Sequence, residues 1–185
     1  MSNRIFFYPD FRRYVLFTAN ALDHMYAHAQ RRLWHKEAGG EIYSIDSDAH
    51  GLIITAATGP NPGDKRGRNS FNPDIEATSR HRQHQFAQGQ HAVGLWHTHP
   101  ETRPSPSGLD RRTTEDYLTA FQGQREHYLT VILGNRGNTP NMAVWSAGRN
   151  EWSRWIELEE AKEIESSFGG RIASSRCRCQ QPESS

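Results

Sequence analysis

Residues 94–113 have the sequence GLWHTHPETRPSPSGLDRRT. The apolar residues that lead into it predict a buried strand, and side chains two apart on a strand point to the same face. His97 and His99 can therefore bind one ion together. The polar segment Pro100–Pro106 follows, and it brings Asp110 to the start of a predicted helix. Two imidazoles and a carboxylate are the ligand set of an open catalytic zinc site, whose fourth position is left for water.

The full pattern is far more specific than its histidine pair. With 10 histidines in 185 residues, chance gives roughly 0.5 H-x-H pairs. The added requirement for Ser107 and Asp110 at fixed offsets lowers that number to roughly 0.002. Ser107-x-x-Asp110 is also a helix-capping pattern, but a capped helix start is a rigid place for a metal ligand, so the two interpretations are compatible.

The pattern resembles the metal signature of the JAB/MPN (JAMM) metalloproteases, which is matched position for position by His97, His99, Ser107 and Asp110. That family also has a glutamate in an upstream E-x-G-G segment, where this chain has Glu37-Ala-Gly-Gly. From the residues alone, Glu37 could not be preferred to Glu41. The resemblance extends in order over about residues 15–145. The exact residues of the motif are most similar to those of the small bacterial members, namely WHTHPE followed by PSPSGLD. Those members resemble deconjugating isopeptidases of antiphage operons and mobile elements.

The resemblance implies an α/β MPN fold and a mechanism. Zinc would be held by His97, His99 and Asp110, Glu37 would act as general base on the zinc water, and Ser107 would donate to the oxyanion. The implied reaction is cleavage after the C-terminus of a ubiquitin-like protein, by deconjugation or precursor processing. The implied partners are that protein, its conjugates and the associated activating and conjugating enzymes.

Two other functions stay open at this point. A JAB-type protein allied to DNA repair shares the H-x-H-P and P-S-x-x-D pattern, but no helix-hairpin-helix segment and no basic face are apparent. A non-catalytic MPN scaffold would not need the complete ligand set. Sulfur-carrier processing is a variant of the isopeptidase hypothesis.

Composition bounds the class of protein. A length of 185 residues and 35% hydrophobic residues predict one domain, at residues 1–165. The formal net charge of +1 gives no general attraction to nucleic acid, and no apolar run is long enough to span a membrane. With no signal-peptide pattern, we expect a cytoplasmic protein. Residues 166–185 are expected to be a disordered tail that carries Cys177 and Cys179 as free thiols.

The order of predicted elements suggests a central mixed sheet flanked by helices. Strands are predicted at Arg4–Tyr8, Tyr14–Phe17, Glu41–Ile45, Leu52–Ala57, Ala92–His97, His127–Leu133 and Asn141–Ser146. Helices are predicted at Ala19–His35, with Leu22, Tyr26, Ala29 and Leu33 buried, from the Asp74 cap to Gln88, at Leu109–Gln122 and at Glu159–Phe168. Trp152–Leu158 is a strand or the start of a helix, and Asp46–Gly51 is a turn.

The remaining candidates carry less weight. Thr58–Asp74 is long for an unstructured connection and is expected to be functional, with Lys65, Arg66 and Arg68 available to an acidic partner. The histidine pairs His24/His28 and His81/His84 are interpreted as helix faces. The tryptophans are expected in the core or in groove walls rather than on a base-stacking platform: Trp34, Trp96, Trp145, Trp152 and Trp155.

Overall fold

The computed structural model describes residues 2–45, 51–120, 127–148 and 151–159. Its strands are β1 Arg4–Phe7, β2 Tyr14–Phe17, β3 Gly39–Ser44, β4 Gly51–Ala57, β5 Lys65–Arg66, β6 Phe71–Asn72, β7 His91–Thr98, β8 Tyr128–Leu133, β9 Met142–Ala147, β10 Trp152–Arg154 and β11 Ile156–Glu157. Its helices are α1 Ala19–Tyr26, α2 Ile75–Ala87 and α3 Gly108–Ala120.

Nine of these strands form one mixed sheet in the order β10-β9-β8-β7-β3-β4-β2-β1-β11. The pairs β2–β4 and β7–β8 are parallel, and the other neighbours are antiparallel. Helix α1 packs against β4, α2 against β3 and β7, and α3 against β8 and β9. The predicted mixed sheet flanked by helices is therefore confirmed.

The sheet curves until its two edges meet. Strands β10 and β11 are at opposite ends of the strand order, yet Trp155 alone separates them in the chain. Trp155 is buried and packs edge-on against Tyr8, with ring centroids 5.4 Å apart. Within the sheet, Arg4 of β1 pairs with Glu157 of the neighbouring β11 through two hydrogen bonds of 2.6 Å. The two edge strands are only three and two residues long, which limits pairing with another chain.

The main core lies between the sheet and α1. Thr18 caps α1 by accepting from the Ala21 N–H, and Leu22 and Met25 on the inner helix face are fully buried against Phe6 and Phe17. Each such side chain stabilises the fold by about 1.5–3 kcal/mol relative to exposure. This core supports the inner strands β3 and β7, which carry the candidate site.

Helix α1 ends nine residues earlier than predicted, at Tyr26 instead of His35. Leu33, predicted to be buried, is 78% exposed, and Trp34, predicted in the core or a groove wall, is 71% exposed. The physical reason is long-range, since the Gln30 amide donates to the carbonyls of His35 and Arg68 and draws the chain out of the helix. Helical spacing does not reveal such partners.

The predicted loop Thr58–Asp74 is ordered, and we call it the strap. It contains the short hairpin of β5 and β6. The predicted strand at Glu41 starts earlier, at Gly39, and Trp152–Leu158 forms β10 and β11. The turn at 46–50, the tail at 166–185 with Cys177 and Cys179, and nearly all of the helix predicted at Glu159–Phe168 lie outside the described residues. No helix in the described ranges is long and apolar enough to cross a membrane.

Candidate active site

Strand β7 and helix α3 bring two imidazoles and a carboxylate to one point. Buried His97 lies near the end of β7, and His99 follows the strand, held extended by a bond from its N–H to the Leu133 carbonyl. The two Nε2 atoms are 3.1 Å apart. Asp110 faces both, with Oδ1 3.2 Å from His97 Nε2 and Oδ2 3.5 Å from His99 Nε2.

These separations fit a tetrahedral metal. Ligand atoms about 2.0–2.1 Å from a zinc ion are about 3.3 Å from one another. The separation of the two Nε2 atoms and the distances from one Asp110 oxygen to His97 and from the other to His99 lie close to that value. Two nitrogens and one oxygen are also the donor types that zinc prefers in open catalytic sites.

The charges at this point are mutually stabilising. Burial is the largest influence on Asp110 and acts to raise its pKa, but hydrogen bonds with His97 and His99 outweigh it and hold the pKa far below its usual range. Burial likewise acts to lower the pKa of His99, and the hydrogen bond and charge of Asp110 reverse that effect, so the pKa is raised. The site therefore favours the ionised form of the Asp110 carboxylate and the positively charged form of His99 beside it.

Ser107 and Asp110 cap α3 reciprocally. The Ser107 N–H donates to Asp110 Oδ2 at 2.6 Å, and the Asp110 N–H donates to Ser107 Oγ at 3.2 Å. This bonding fixes the Asp110 carboxylate against the histidines and leaves the Ser107 hydroxyl at the wall of the same cleft. Ser107 and Asp110 therefore cap the helix and also lie beside the two histidines, so the two interpretations of this pattern are compatible.

Glu37 lies beside the two histidines. Its side chain is 6% exposed, and ligand atoms of Glu37, His97 and His99 all lie within 4.8 Å of one another. Burial raises the pKa of the Glu37 carboxyl, against the opposing effect of the two histidines. This spacing places the carboxylate close enough to act on a metal ion, or on a water bound to it, at the histidines.

The backbone of Glu37 is held by the strap. Its N–H donates to the Gly67 carbonyl at 2.7 Å, and its own carbonyl accepts from Arg66 Nε at 2.5 Å. The strap in turn rests on glycines, because a side chain at Gly40 would collide with the backbone of Thr58. The segment Glu37-Ala-Gly-Gly thus provides both the buried carboxylate and, at Gly40, a position without a side chain where the strap backbone can pack closely.

Thr98, between the two histidines, was not singled out from the sequence. Its N–H donates to the Ala38 carbonyl at 2.9 Å, and its hydroxyl accepts from the Ala38 N–H at 3.0 Å and donates to Gln30 at 3.1 Å. Thr98 therefore fixes the register between the histidines and the glutamate. Its position inside H-T-H was the one available signal.

Glu41 has a different role from Glu37. Its carboxylate is 1% exposed and bonds to the guanidinium of Arg82, and Tyr43 donates to it at 2.7 Å. These partners tie β3 to α2. The structure thus separates two glutamates that the sequence alone could not distinguish.

A cleft of about 460 Å³ opens over these groups. One wall is strap residues 68–71, and the other is the first three turns of α3 with Leu109, Thr113 and Tyr117. Glu37, His97, His99, Asp110 and Ser107 all line it.

The other histidine pairs lie elsewhere. His24, on α1, and His28, in the turn just after α1, are partly buried and pack against Trp96, with His24 Nε2 2.6 Å from the Gly59 carbonyl oxygen. On α2, His84 is exposed and His81 is half-buried. The expected helix face is therefore wrong for His28, because α1 ends at Tyr26, while His81 and His84 lie on α2 as expected.

Comparison with known proteins gives consistent results. Residues 18–148 match the family described as prokaryotic homologs of the JAB domain. The chain is 34% identical over 128 residues, 68% of this chain and 80% of the relative, to a CD-NTase/cGAS isopeptidase of Pseudomonas aeruginosa (strain BWHPSA011 / Pa011). It is 30% identical over 105 residues, 54% of this chain and 64% of the relative, to a probable metalloprotease, y4qB, of Sinorhizobium fredii. A solution structure of a Desulfitobacterium hafniense protein superposes with a TM-score of 0.57 at 19% identity, over 75% of this chain and 87% of that one, which is a likeness of fold.

Proposed function

The chain belongs to the prokaryotic JAB family, and from this premise we propose that it is a zinc-dependent isopeptidase of antiphage defence. The proposed substrate is a conjugate in which the C-terminal carboxyl of one protein is joined to an amine of another. The observation that supports this most directly is the convergence of His97, His99 and Asp110 beside buried Glu37 in one cleft.

The fold family and the general class of enzyme follow directly from the comparisons with known proteins. The family match over residues 18–148 confirms the JAB fold that the metal motif predicted. The relatives' names confirm the expected class, a deconjugating isopeptidase and hydrolase. Zinc, the roles of the individual residues and the substrate are the new parts of the proposal.

Zinc would be held by His97, His99 and Asp110, where it would supply a Lewis acid and lower the pKa of water. Glu37 would take the proton of the attacking water and pass it to the leaving lysine amine. The isopeptide C–N bond then breaks, the carboxyl gains the water oxygen, and no covalent enzyme intermediate forms. Burial of Glu37 suits this exchange, since a raised pKa makes the carboxylate a better proton acceptor.

Ser107 would stabilise the oxyanion. Its backbone is fixed by the α3 cap, and its hydroxyl lies at the cleft wall next to Asp110. A hydroxyl proton aimed at the developing negative charge contributes more to the transition state than to the bound substrate.

The substrate tail would lie extended in the cleft. Strap residues 68–71, the hairpin turn and the first residue of β6, line one side of the cleft, where their main-chain groups could bond to an extended peptide. The tail is expected to end in small residues, because a side chain at the scissile position would meet the histidines. The P. aeruginosa relative is named for a CD-NTase/cGAS substrate, so we propose a CD-NTase-type protein as the acyl partner, with a ubiquitin-like protein as the second candidate.

Two other functions are less well supported. A non-catalytic scaffold would not require Glu37 buried beside two histidines with a fitting carboxylate. A role in DNA repair draws on motif similarity alone. Association with activating and conjugating enzymes follows from the proposed reaction.

The test offers the purified protein three substrates. A CD-NTase and a ubiquitin-like protein from the same genome are each joined through the C-terminal carboxyl to a reporter lysine side chain, and denatured casein is the third. We expect cleavage of one conjugate at the junction and none of casein. Cleavage of casein with both conjugates intact would overturn the isopeptidase assignment. The matched control is Glu37→Gln, which should abolish cleavage and keep the fold.

A further inference from the structure

An ordered segment holds two large apolar side chains in solvent. Leu33 and Trp34 have the highest exposed fractions among the large apolar side chains of the described residues, 78% and 71%. Their backbone is nevertheless fixed, because Arg68 donates to the Leu33 carbonyl and the His35 N–H donates to the Arg32 carbonyl at 3.0 Å. Neighbouring exposed apolar residues on a fixed backbone are typical of a binding surface.

Positive charge surrounds this pair. Arg31, Arg32, Lys36 and Arg68 are exposed, and none forms an ion pair with another described residue. Residues 27–40 and 65–72 contain a single carboxylate, the buried Glu37. The guanidinium of Arg32 lies over the Trp34 ring, 5.3 Å from its centroid. The basic patch is therefore defined by Arg31, Arg32, Leu33, Trp34, Lys36 and Arg68, and it is unbalanced in charge on a chain of net charge +1.

The basic patch is continuous with the cleft. Arg68 belongs to both, since it lines the cleft and binds the Leu33 carbonyl. Arg66, two residues earlier on the strap, bonds to the carbonyls of Lys36 and Glu37. A protein with its tail along strap residues 68–71 would thus have its folded body against the patch.

We propose that the basic patch binds the folded body of the acyl-side protein, through an acidic surface with an apolar centre. This inference rests on the proposed function, because the tail in the cleft sets where the folded body lies. Arginine and tryptophan are the residues that most often dominate such interfaces. They also occur in sites that stack bases, but the patch adjoins a site whose chemistry acts on protein conjugates, which favours a protein partner.

The experiment compares two substrates with the same scissile bond. One is the CD-NTase from the same genome, joined through its C-terminal carboxyl to the side chain of a fluorescent lysine, and the other is a peptide of its C-terminal tail joined in the same way. We expect the double variant Arg31→Glu/Arg32→Glu, and separately Trp34→Ala, to raise KM for the protein substrate about tenfold or more. We expect kcat to be unchanged, and the tail peptide to be cleaved at the wild-type rate. The KM of wild type for the protein should rise steeply with salt, and that of the charge variant should not.

The control variants make the same types of change, an exposed aromatic residue to alanine and an exposed arginine to glutamate, at residues that do not line the cleft. Phe11→Ala and Arg12→Glu lie in the turn between β1 and β2, where Phe11 is 53% exposed, and they should leave both substrates unaffected. Equal KM values of wild type and patch variants for the protein would overturn the proposal, as would equal losses on protein and peptide. A single-stranded oligonucleotide that binds wild type and not the charge variant, with KM unchanged, would overturn it in favour of nucleic acid. Failure of wild type on both substrates contradicts the proposed function itself, and is distinct from these results.

Discussion

Arg66 Nε lies 2.5 Å from the backbone carbonyl oxygen of Glu37, so a residue of the strap holds the residue proposed as general base. The neighbouring Gly67 carbonyl accepts the Glu37 N–H at 2.7 Å. Both sides of the Glu37 backbone are therefore attached to the segment that also forms a cleft wall, and substrate binding and base position share one support.

Arg66→Gln should lower kcat because the Glu37 carbonyl loses its donor and the carboxylate can shift. A displacement of about 1 Å at a reacting group can cost 10²-fold in rate, so we expect a loss between tenfold and that value. The measurement is kcat together with zinc content, which should stay at wild type. Lys65→Gln, its exposed neighbour, is the control. Unchanged kcat in Arg66→Gln would show that the strap does not position Glu37.

Glu37→Gln and Glu41→Gln should fail in different ways. The first keeps the shape and removes the base, so the protein should fold, bind zinc and lose activity. The second leaves the partly exposed Arg82 without its charged partner and should cost about 2 kcal/mol of unfolding free energy, after allowance for solvent screening. Urea unfolding and activity measured side by side distinguish them. Full activity in Glu37→Gln would show that a residue other than Glu37 is the general base.

The purified protein should contain one zinc per chain. His99→Ala and Asp110→Ala each remove one of three protein ligands, and both should lose the metal, because the remaining two cannot close the site. Elemental analysis after dialysis against a weak chelator measures this. His84→Ala, on exposed α2, should keep its zinc. Stoichiometric zinc in both ligand variants would contradict the assignment.

Ser107→Ala should slow the reaction by about 10²–10³, the usual effect of losing one oxyanion donor. The same change removes the acceptor of the Asp110 N–H and should cost about 1 kcal/mol of stability. Ser105→Ala, two residues before it and exposed, should change neither quantity. A stability loss with an unchanged rate would leave Ser107 as a cap alone.

The contribution of His28 to the stability of the metal-free protein should be lost as pH falls below about 6.5. Burial lowers the pKa of His28, and the positive charges of His24 and Arg66 add to that effect. The unfolded chain then binds a proton that the folded chain does not, so stability is full above the unfolded pKa and is lost as pH falls toward the folded value. Melting temperatures at several pH values, measured in chelator, should show a shallower slope for His28→Gln than for His84→Gln. Identical slopes would remove His28 from the effect.

The sequence predicts the meeting of His97, His99 and Asp110 because strand alternation and a helix cap are local. The two-residue period of a strand is enough to place His97 and His99 on one face. The three-residue spacing of Ser107 and Asp110 is enough to predict the cap of α3. The sheet and most of its strands follow from equally local patterns.

The rest depends on contacts between distant residues. Gln30 ends α1 through partners at Arg68 and Thr98, which no spacing indicates. In the sequence, Glu37 and Glu41 both lie at the junction between a predicted helix and a predicted strand. Their roles are distinguished by distant partners: Arg82 for Glu41, and His97 and His99 for Glu37. The exposure of Trp34 has the same origin as the early end of α1.

One carboxylate closes the strap at its base. Asp64 accepts the Asn61 N–H at 2.5 Å and the Asp74 N–H at 2.7 Å, so both ends of the segment stay together whatever lies between them. Doubling the length of a closed loop costs only about 0.6 kcal/mol in chain entropy. The hairpin tip can therefore lengthen at exposed Asn69, beyond the Gly67 and Arg68 backbone that holds Glu37 and Gln30, so the cleft wall can vary while the sheet stays the same.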